Sequence, residues 1–255
     1  MNFDLYRTIK QKKSIFIFFI LLLLMLSDLT LNLLWTFGRH NYNYMTFLTG
    51  QNSVYIQMIV LWLLPIWVLL FSSERYINDR KLGYENILKA KLGNNKYIFT
   101  LIKVTFLSCF LLYFVPLAIN FFLAFVTSWD VSKMRSIDYF YIFQDSAKFS
   151  VGYFGWKYPF LINVLFILST SLIAGLIGVT CLCVSFVFPD KRIVYPVMFL
   201  FWFVQIIIRN SSVMNIFQPF AEWDWSNMAF VFIRTVILCL IVIIPTTIYK
   251  LREIR

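Results

Sequence analysis

The sequence predicts an all-α integral membrane protein with six transmembrane helices and both termini in the cytoplasm. Three observations carry that reading. Of 255 residues, 60% are hydrophobic and only 14% charged, against roughly 45–50% and about 25% in soluble domains. The apolar residues gather into six runs of near-spanning length, and the segments that join them share the Lys and Arg residues unequally. A fifth of the chain is aromatic, with 29 Phe, 14 Tyr and 8 Trp. This composition excludes a disordered chain, a collagen-like repeat and a disulfide scaffold.

Crossing about 30 Å of hydrocarbon takes roughly 20 helical residues. The first run, 14–34, is interrupted only by Asp28 and Asn32. The second, 55–71, contains Pro65, and the third, 104–126, contains Pro116 and Asn120. The fourth, 161–188, is the longest and holds Gly175 and Gly178, while the fifth, 193–208, is short. The sixth is 231–249. With the N-terminus inside, the cytoplasmic segments carry 16 Lys and Arg, among them Lys13, Arg80, Lys91, Lys191 and Lys250, and the outer segments carry 6. Arg234 lies within the sixth span. That imbalance sets the N-in, C-in orientation, and it assigns the net charge of +11 to membrane topology rather than to nucleic acid. The whole chain, 1–255, reads as a single transmembrane domain.

The N-terminal run continues past a signal-peptide core with no small-x-small cleavage site, so the first helix is expected to stay. Ahead of it, 1–13 sets Phe3, Tyr6 and Ile9 at helical spacing beside cations, which suits a short helix on the inner leaflet. Cys109, Cys181, Cys183 and Cys239 all fall inside predicted spans without a Cys-x-x-Cys pair, and the single histidine, His40, lies in an outer segment. They read as buried apolar residues, not as disulfides or metal ligands. No P-loop occurs, so any ATP that drives the protein is bound by another polypeptide. An intramembrane enzyme would need a histidine site, a serine–base pair or paired aspartates, and a lone Asp28 supplies none of these. The chain is therefore not expected to be an enzyme, and no cofactor is expected in it.

The most informative stretch is 72–103, charged and far longer than a minimal turn. Gly83 is placed to interrupt a helix running out of the second span. Tyr84, Ile87, Leu88 and Leu92 then fall at helical spacing on one apolar face, with Glu85, Asn86, Lys89 and Lys91 expected to point away. Gly93-Asn94-Asn95 supplies a helix stop. The result is a short amphipathic helix beside the inner membrane face, either tidying a loop or docking a cytoplasmic partner.

At these residues the chain resembles the type-2 ABC-transporter permeases. Six spans, an interfacial N-terminal helix and a glutamate-started cytoplasmic loop between spans two and three are that family's pattern. Glu74, Gly83, Ile87-Leu88, Gly93-Asn94-Asn95 and Lys103 occupy the loop's usual places, although the usual turn proline is missing and the Glu-to-Gly gap is long. The resemblance implies an amphipathic coupling helix, with Glu74, Gly83, Tyr84, Ile87, Leu88, Lys91 and Leu92 facing a cytoplasmic ATPase. It also implies a second permease copy or a related permease, ATP and Mg bound by the ATPase, and a bacterial cytoplasmic membrane.

The outer segment 127–160 is aromatic enough to lie on the outer leaflet or fold over the mouth of a path. The second outer segment, 209–230, carries an amphipathic stretch with Pro219, Phe220, Trp223 and Trp225 that reads as an interfacial or re-entrant element. Asp28 must face protein, water or a cation, and Arg234 is either its partner or snorkels outward. Asn32 shares its helix face. A cargo path is drawn through Asp28, Asn32, Trp35, Trp62 and Trp202, on polarity or size alone. Walls this aromatic suit hydrophobic or amphipathic cargo, peptides above all. The competing reading is a non-transporting receptor or immunity protein that binds peptide or lipid.

Overall fold

The protein is described by a computed structural model covering residues 11–36, 56, 58–127, 151, 154, 158–208, 211–217 and 224–252. Residues 1–10 of the interfacial stretch read at 1–13, most of the segment 127–160, His40 and residues 218–223 lie outside the described residues. Helix α1 is Lys12–Thr36. Helix α2 is a broken rod built from π-helical Met58–Trp62, α-helical Leu64–Val68, π-helical Leu69–Ser73 and α-helical Glu74–Lys81. After it come α3 (Tyr84–Leu92), α4 (Asn94–Thr127), α5 (Pro159–Val187) and α6 (Lys191–Ile207). A 3-10 turn, Val213–Phe217, precedes α7 (Trp225–Arg252).

Each apolar run read from the sequence lies largely or wholly within one of these helices. Four helical stretches, Lys12–Leu31, Asn94–Thr127, Phe160–Val187 and Trp225–Arg252, are long and apolar enough to cross a membrane. The chain is thus an all-helical protein of multi-pass membrane character. The other two apolar helices differ from that pattern. Helix α6 has 17 residues, and α2 is interrupted.

Helix α5 sits at the centre, packed most extensively on α4 and then on α7, while α1 packs on α4. Its inner face buries Ile173, Ala174, Ile177, Cys181 and Leu182. Two glycines allow the close approach of α4. A Cβ on Gly178 would stand 2.6 Å from the Cys109 sulfur, and one on Gly175 would stand 2.8 Å from the Phe106 ring. All four cysteines are buried free thiols. The faces turned away from the bundle are apolar too, with Phe16, Leu23, Phe122, Val204, Ile233 and Ile241 exposed. Exposed apolar faces on long helices are what a lipid solvent requires.

The break in α2 follows from Pro65. In a regular helix the Leu61 carbonyl would accept the N–H of residue 65, and proline has none. Trp202 Nε1 donates to that carbonyl instead at 2.9 Å. The two preceding carbonyls accept as well, Val60 from the Tyr113 hydroxyl and Ile59 from Trp67 Nε1, each at 2.9 Å. Side chains from α4, α6 and α2 itself thereby close a turn that has no water to bond to. Asn120 does a similar service between helices, donating its side-chain amide to the Met25 carbonyl.

Replacing Trp202 with Phe keeps most of the ring and removes the donor. Leaving the Leu61 carbonyl bare costs about 1–3 kcal/mol. The expected result is a lower unfolding temperature in detergent for Trp202→Phe, read by tryptophan fluorescence or a thiol-reactive dye.

Candidate functional site

The site is the last α-helical piece of α2, Glu74–Lys81, the helix α3 and the groups that hold them. Helix α2 closes with Leu82 N–H donating to the Asn78 carbonyl at 3.0 Å and Gly83 N–H to Arg80 at 3.1 Å. Gly83 then turns the chain with φ +72. Space around it is open, so the backbone angle alone favours glycine there. Gly93, with φ +79, stops α3 and passes the chain into α4.

Two carboxylates organise this end. Glu74 opens the last α-helical piece of α2 and binds three groups from other helices: Lys13 of α1, Lys191 Nζ of α6 at 3.2 Å, and the Tyr195 hydroxyl of α6 at 2.8 Å. Burial pushes its carboxyl pKa up, but the hydrogen bonds from Lys13, Tyr195 and Lys191 outweigh burial and hold it below the ordinary value of 4.5. Glu74 therefore stays ionised and pins three helices at one level.

Glu85, in the first turn of α3, is the second hub. It is 4% exposed and lies 2.6 Å from Lys89 Nζ, 3.3 Å from Lys250 Nζ and 3.9 Å from Arg80 Nε. The Tyr76 hydroxyl donates to it at 3.5 Å. Lys250, near the end of α7, is only 2% exposed. Arg80 also donates from Nη1 to the Phe186 carbonyl at 3.0 Å, near the end of α5. Beside them Arg75 and Asp79 pair at 3.5 Å within α2. One short helix is thus tied to the ends of α2, α5 and α7.

This arrangement corrects the expected orientation of α3. Glu85 and Lys89 do not point away; they turn inward with Leu88, which packs against the core. Ile87 and Leu92 turn outward instead, 53% and 42% exposed, and Leu82 just before the helix is 81% exposed. Lys91 is exposed, and Tyr84 is half-buried. Periodicity found the helix, but Lys250, some 160 residues further on, decides which face goes inside. Lys250, Tyr195, Arg80 and Lys191 are the residues sequence reasoning missed as parts of a site. The basic residues among them entered only as topology charges.

Of the five residues read as a cargo path, the structure describes the side chains of Trp62 and Trp202. The side chains of Asp28, Asn32 and Trp35 lie outside the described residues. Trp62 is half-buried, edge-on to Phe203 with centroids 6.3 Å apart. Trp202 is fully buried, its N–H spent on Leu61 and its ring tilted against Phe217 of the 3-10 turn. That turn packs Val213, Ile216 and Phe217 inward. Arg234 holds the turn after α6, donating to the Ser211 hydroxyl at 2.8 Å and to its carbonyl at 2.7 Å.

Over 251 residues, 98% of each chain, the sequence is 33% identical to YybM of Bacillus subtilis strain 168, a protein described as uncharacterized. The chain belongs to the YybM family. No family model matches it, and no solved structure matches it.

Two outcomes are expected here. Removing one partner of a buried ion pair costs about 3–5 kcal/mol, so Glu85→Leu, which takes the carboxylate from buried Lys250, should lower the unfolding temperature sharply, and Glu85→Leu with Lys250→Met should recover part of the loss. Glu74 has a lowered folded pKa, so its contribution is present above 4.5 and is lost as pH falls through the folded value. Thermal unfolding in detergent should therefore show Glu74→Gln less stable than wild type near neutral pH, with the gap closing on acidification.

Proposed function

We propose that the protein is the membrane permease subunit of an ABC-type exporter. In this reading α1, α2, α4, α5, α6 and α7 are six spans with both termini in the cytoplasm, in a bacterial cell membrane. The short spans α2 and α6 are accommodated by local thinning of the bilayer. Two copies, or one copy and a related permease, pair in the membrane. Separate ATPase subunits, carrying ATP and Mg, dock beneath on α3 and drive hydrophobic or amphipathic cargo outward, with amphipathic peptides the class that the aromatic walls suit best.

The observation that supports this reading is the tethering of α3. A helix that only covered a loop would need no buried Glu85–Lys250 pair. Here a push on α3 bears on α7 through Lys250, on α5 through Arg80 and Phe186, and on α2 through the Gly83 turn. Glu74 carries the same load to α1 and α6. Displacement of one cytoplasmic element reaches most of the bundle through hydrogen-bonded ion pairs, which is the rigid connection a power stroke requires.

The test is co-expression with a P-loop ATPase encoded beside this gene, purification through a tag on this chain, and measurement of ATP hydrolysis. Ile87→Asp, on the outward face, should lose the ATPase while keeping the wild-type unfolding temperature. Leu88→Asp, on the packed face, should lower that temperature. If no ATPase associates with the wild type, the permease reading fails and a peptide- or lipid-binding receptor or immunity protein takes its place.

A further inference from the structure

The outward face of the coupling segment has a composition that specifies what it docks against. Residues 72–103 contain three carboxylates, Glu74, Asp79 and Glu85. All three turn into the protein, with side-chain exposures of 12%, 10% and 5%. In the same segment Lys81, Lys91, Lys96 and Lys103 are exposed. Between the lysines stand the exposed apolar side chains of Leu82, Ile87 and Leu92. The ion pairs that tether α3 thus also remove every negative charge from its outer face. What is left is an apolar centre flanked by Lys81 and Lys91, with no exposed carboxylate in 72–103.

A surface of this kind fits either anionic lipid or an acidic protein. The depth of α3 separates them. Glu74 pairs with Lys13 and Lys191, the cations that open α1 and α6, so its level marks the inner edge of the hydrocarbon. From Glu74 the helix runs on through Lys81, 8 residues, before α3 begins. At 1.5 Å per residue that is about 12 Å further from the membrane, whereas the headgroup zone on each side is only about 5–8 Å thick. In the permease reading, with α2 upright in the membrane, helix α3 therefore stands below the headgroups.

We propose that this face, centred on Leu82 and Ile87 and bordered by Lys81 and Lys91, docks into an apolar cleft rimmed by Asp and Glu side chains on the cytoplasmic partner. The proposal rests on the permease reading for the partner's identity and adds the chemistry of the partner's surface. Opposite charges around the rim steer the approach and exclude partners with a basic cleft. The apolar centre supplies the area that holds the complex. An ATPase with a neutral or basic cleft would be rejected by the lysines, which makes the face a selector among the several ATPases of one cell.

The full chain is co-purified with its ATPase at about 0.05 M and at about 0.5 M salt, which shortens the Debye length more than threefold. Lys81→Glu with Lys91→Glu should reduce the ATPase recovered at low salt by about tenfold or more. Lys12→Glu, an exposed charge reversal away from α3, should leave recovery unchanged. Wild-type recovery should fall as salt rises, and the double variant should keep the wild-type unfolding temperature because both lysines are exposed. If the double variant recovers ATPase as well as wild type, with no salt effect, the acidic cleft is overturned and the permease reading stands. If wild type recovers no ATPase at either salt, both fall.

A second measurement addresses lipid. The native thiols are all buried, so Leu82→Cys offers a single reactive site for an environment-sensitive dye. Dye at residue 82 should escape quenching by spin-labelled lipid in phosphatidylglycerol-containing vesicles and respond when the ATPase is added. Strong quenching by the lipid overturns the proposal in favour of a leaflet-bound face.

Discussion

The missing N–H of Pro65 is the constraint around which the membrane part of this fold is arranged. Buried in the bundle, the Val60 and Leu61 carbonyls have no water to turn to, so the break in α2 depends on the other side chains that close it. Trp202 from α6 and Tyr113 from α4 reach the Leu61 and Val60 carbonyls, and Trp67 folds back from α2 itself to Ile59. These bonds are directional, unlike the apolar contacts around them. They fix the rotation of α4 and α6 about their own axes and bring both helices to the same turn of α2. A Leu in place of any of the three donors would fill similar space and would specify nothing.

A second arrangement governs the end of the bundle where α3 lies. There the chain has an excess of cations and few acids, and the acids Glu74 and Glu85 each collect several cations from different helices. Each cluster carries net positive charge and ties the ends of several helices together. The Glu74 cluster joins α1, α2 and α6, while the Glu85 cluster joins α2, α3 and α7. Directional bonds thus close the bundle twice, once around a proline-broken turn in the apolar region and once at the end where α3 lies. Between these two levels the contacts are apolar and close, as at Gly175 and Gly178.

These two levels separate what holds the bundle from what moves it. The upper closure is made of neutral hydrogen bonds to backbone and has no partner outside the protein. The lower closure involves α3, whose outward face carries the exposed side chains of Ile87 and Leu92. In an exporter the same helix would receive force on one side and deliver it through buried ion pairs on the other. A receptor would use the same wiring in the same direction, from α3 toward α7 or back. The wiring is common to both readings, and the partner on the outer face distinguishes them.

Membrane character, the order of the helices, the Gly83 and Gly93 turns and the existence of α3 were legible in the sequence. They depend on local properties: runs of apolar residues, the excess of Lys and Arg on alternate segments, glycine at positive φ, and helical spacing of Tyr84, Ile87, Leu88 and Leu92. The face that α3 turns inward was not legible. Both faces carry apolar and charged residues, and the choice is made by Lys250 and Arg80 meeting Glu85 across large sequence separations. Trp202 was legible as a large residue in a span and not as a hydrogen-bond donor, because its acceptor is created by a proline in another helix. Local chemistry dictated the elements, since each is set by neighbours within a few residues. The tertiary structure decided the pairing of buried polar groups, since every such group must be satisfied and only the folded bundle determines which distant partner reaches it.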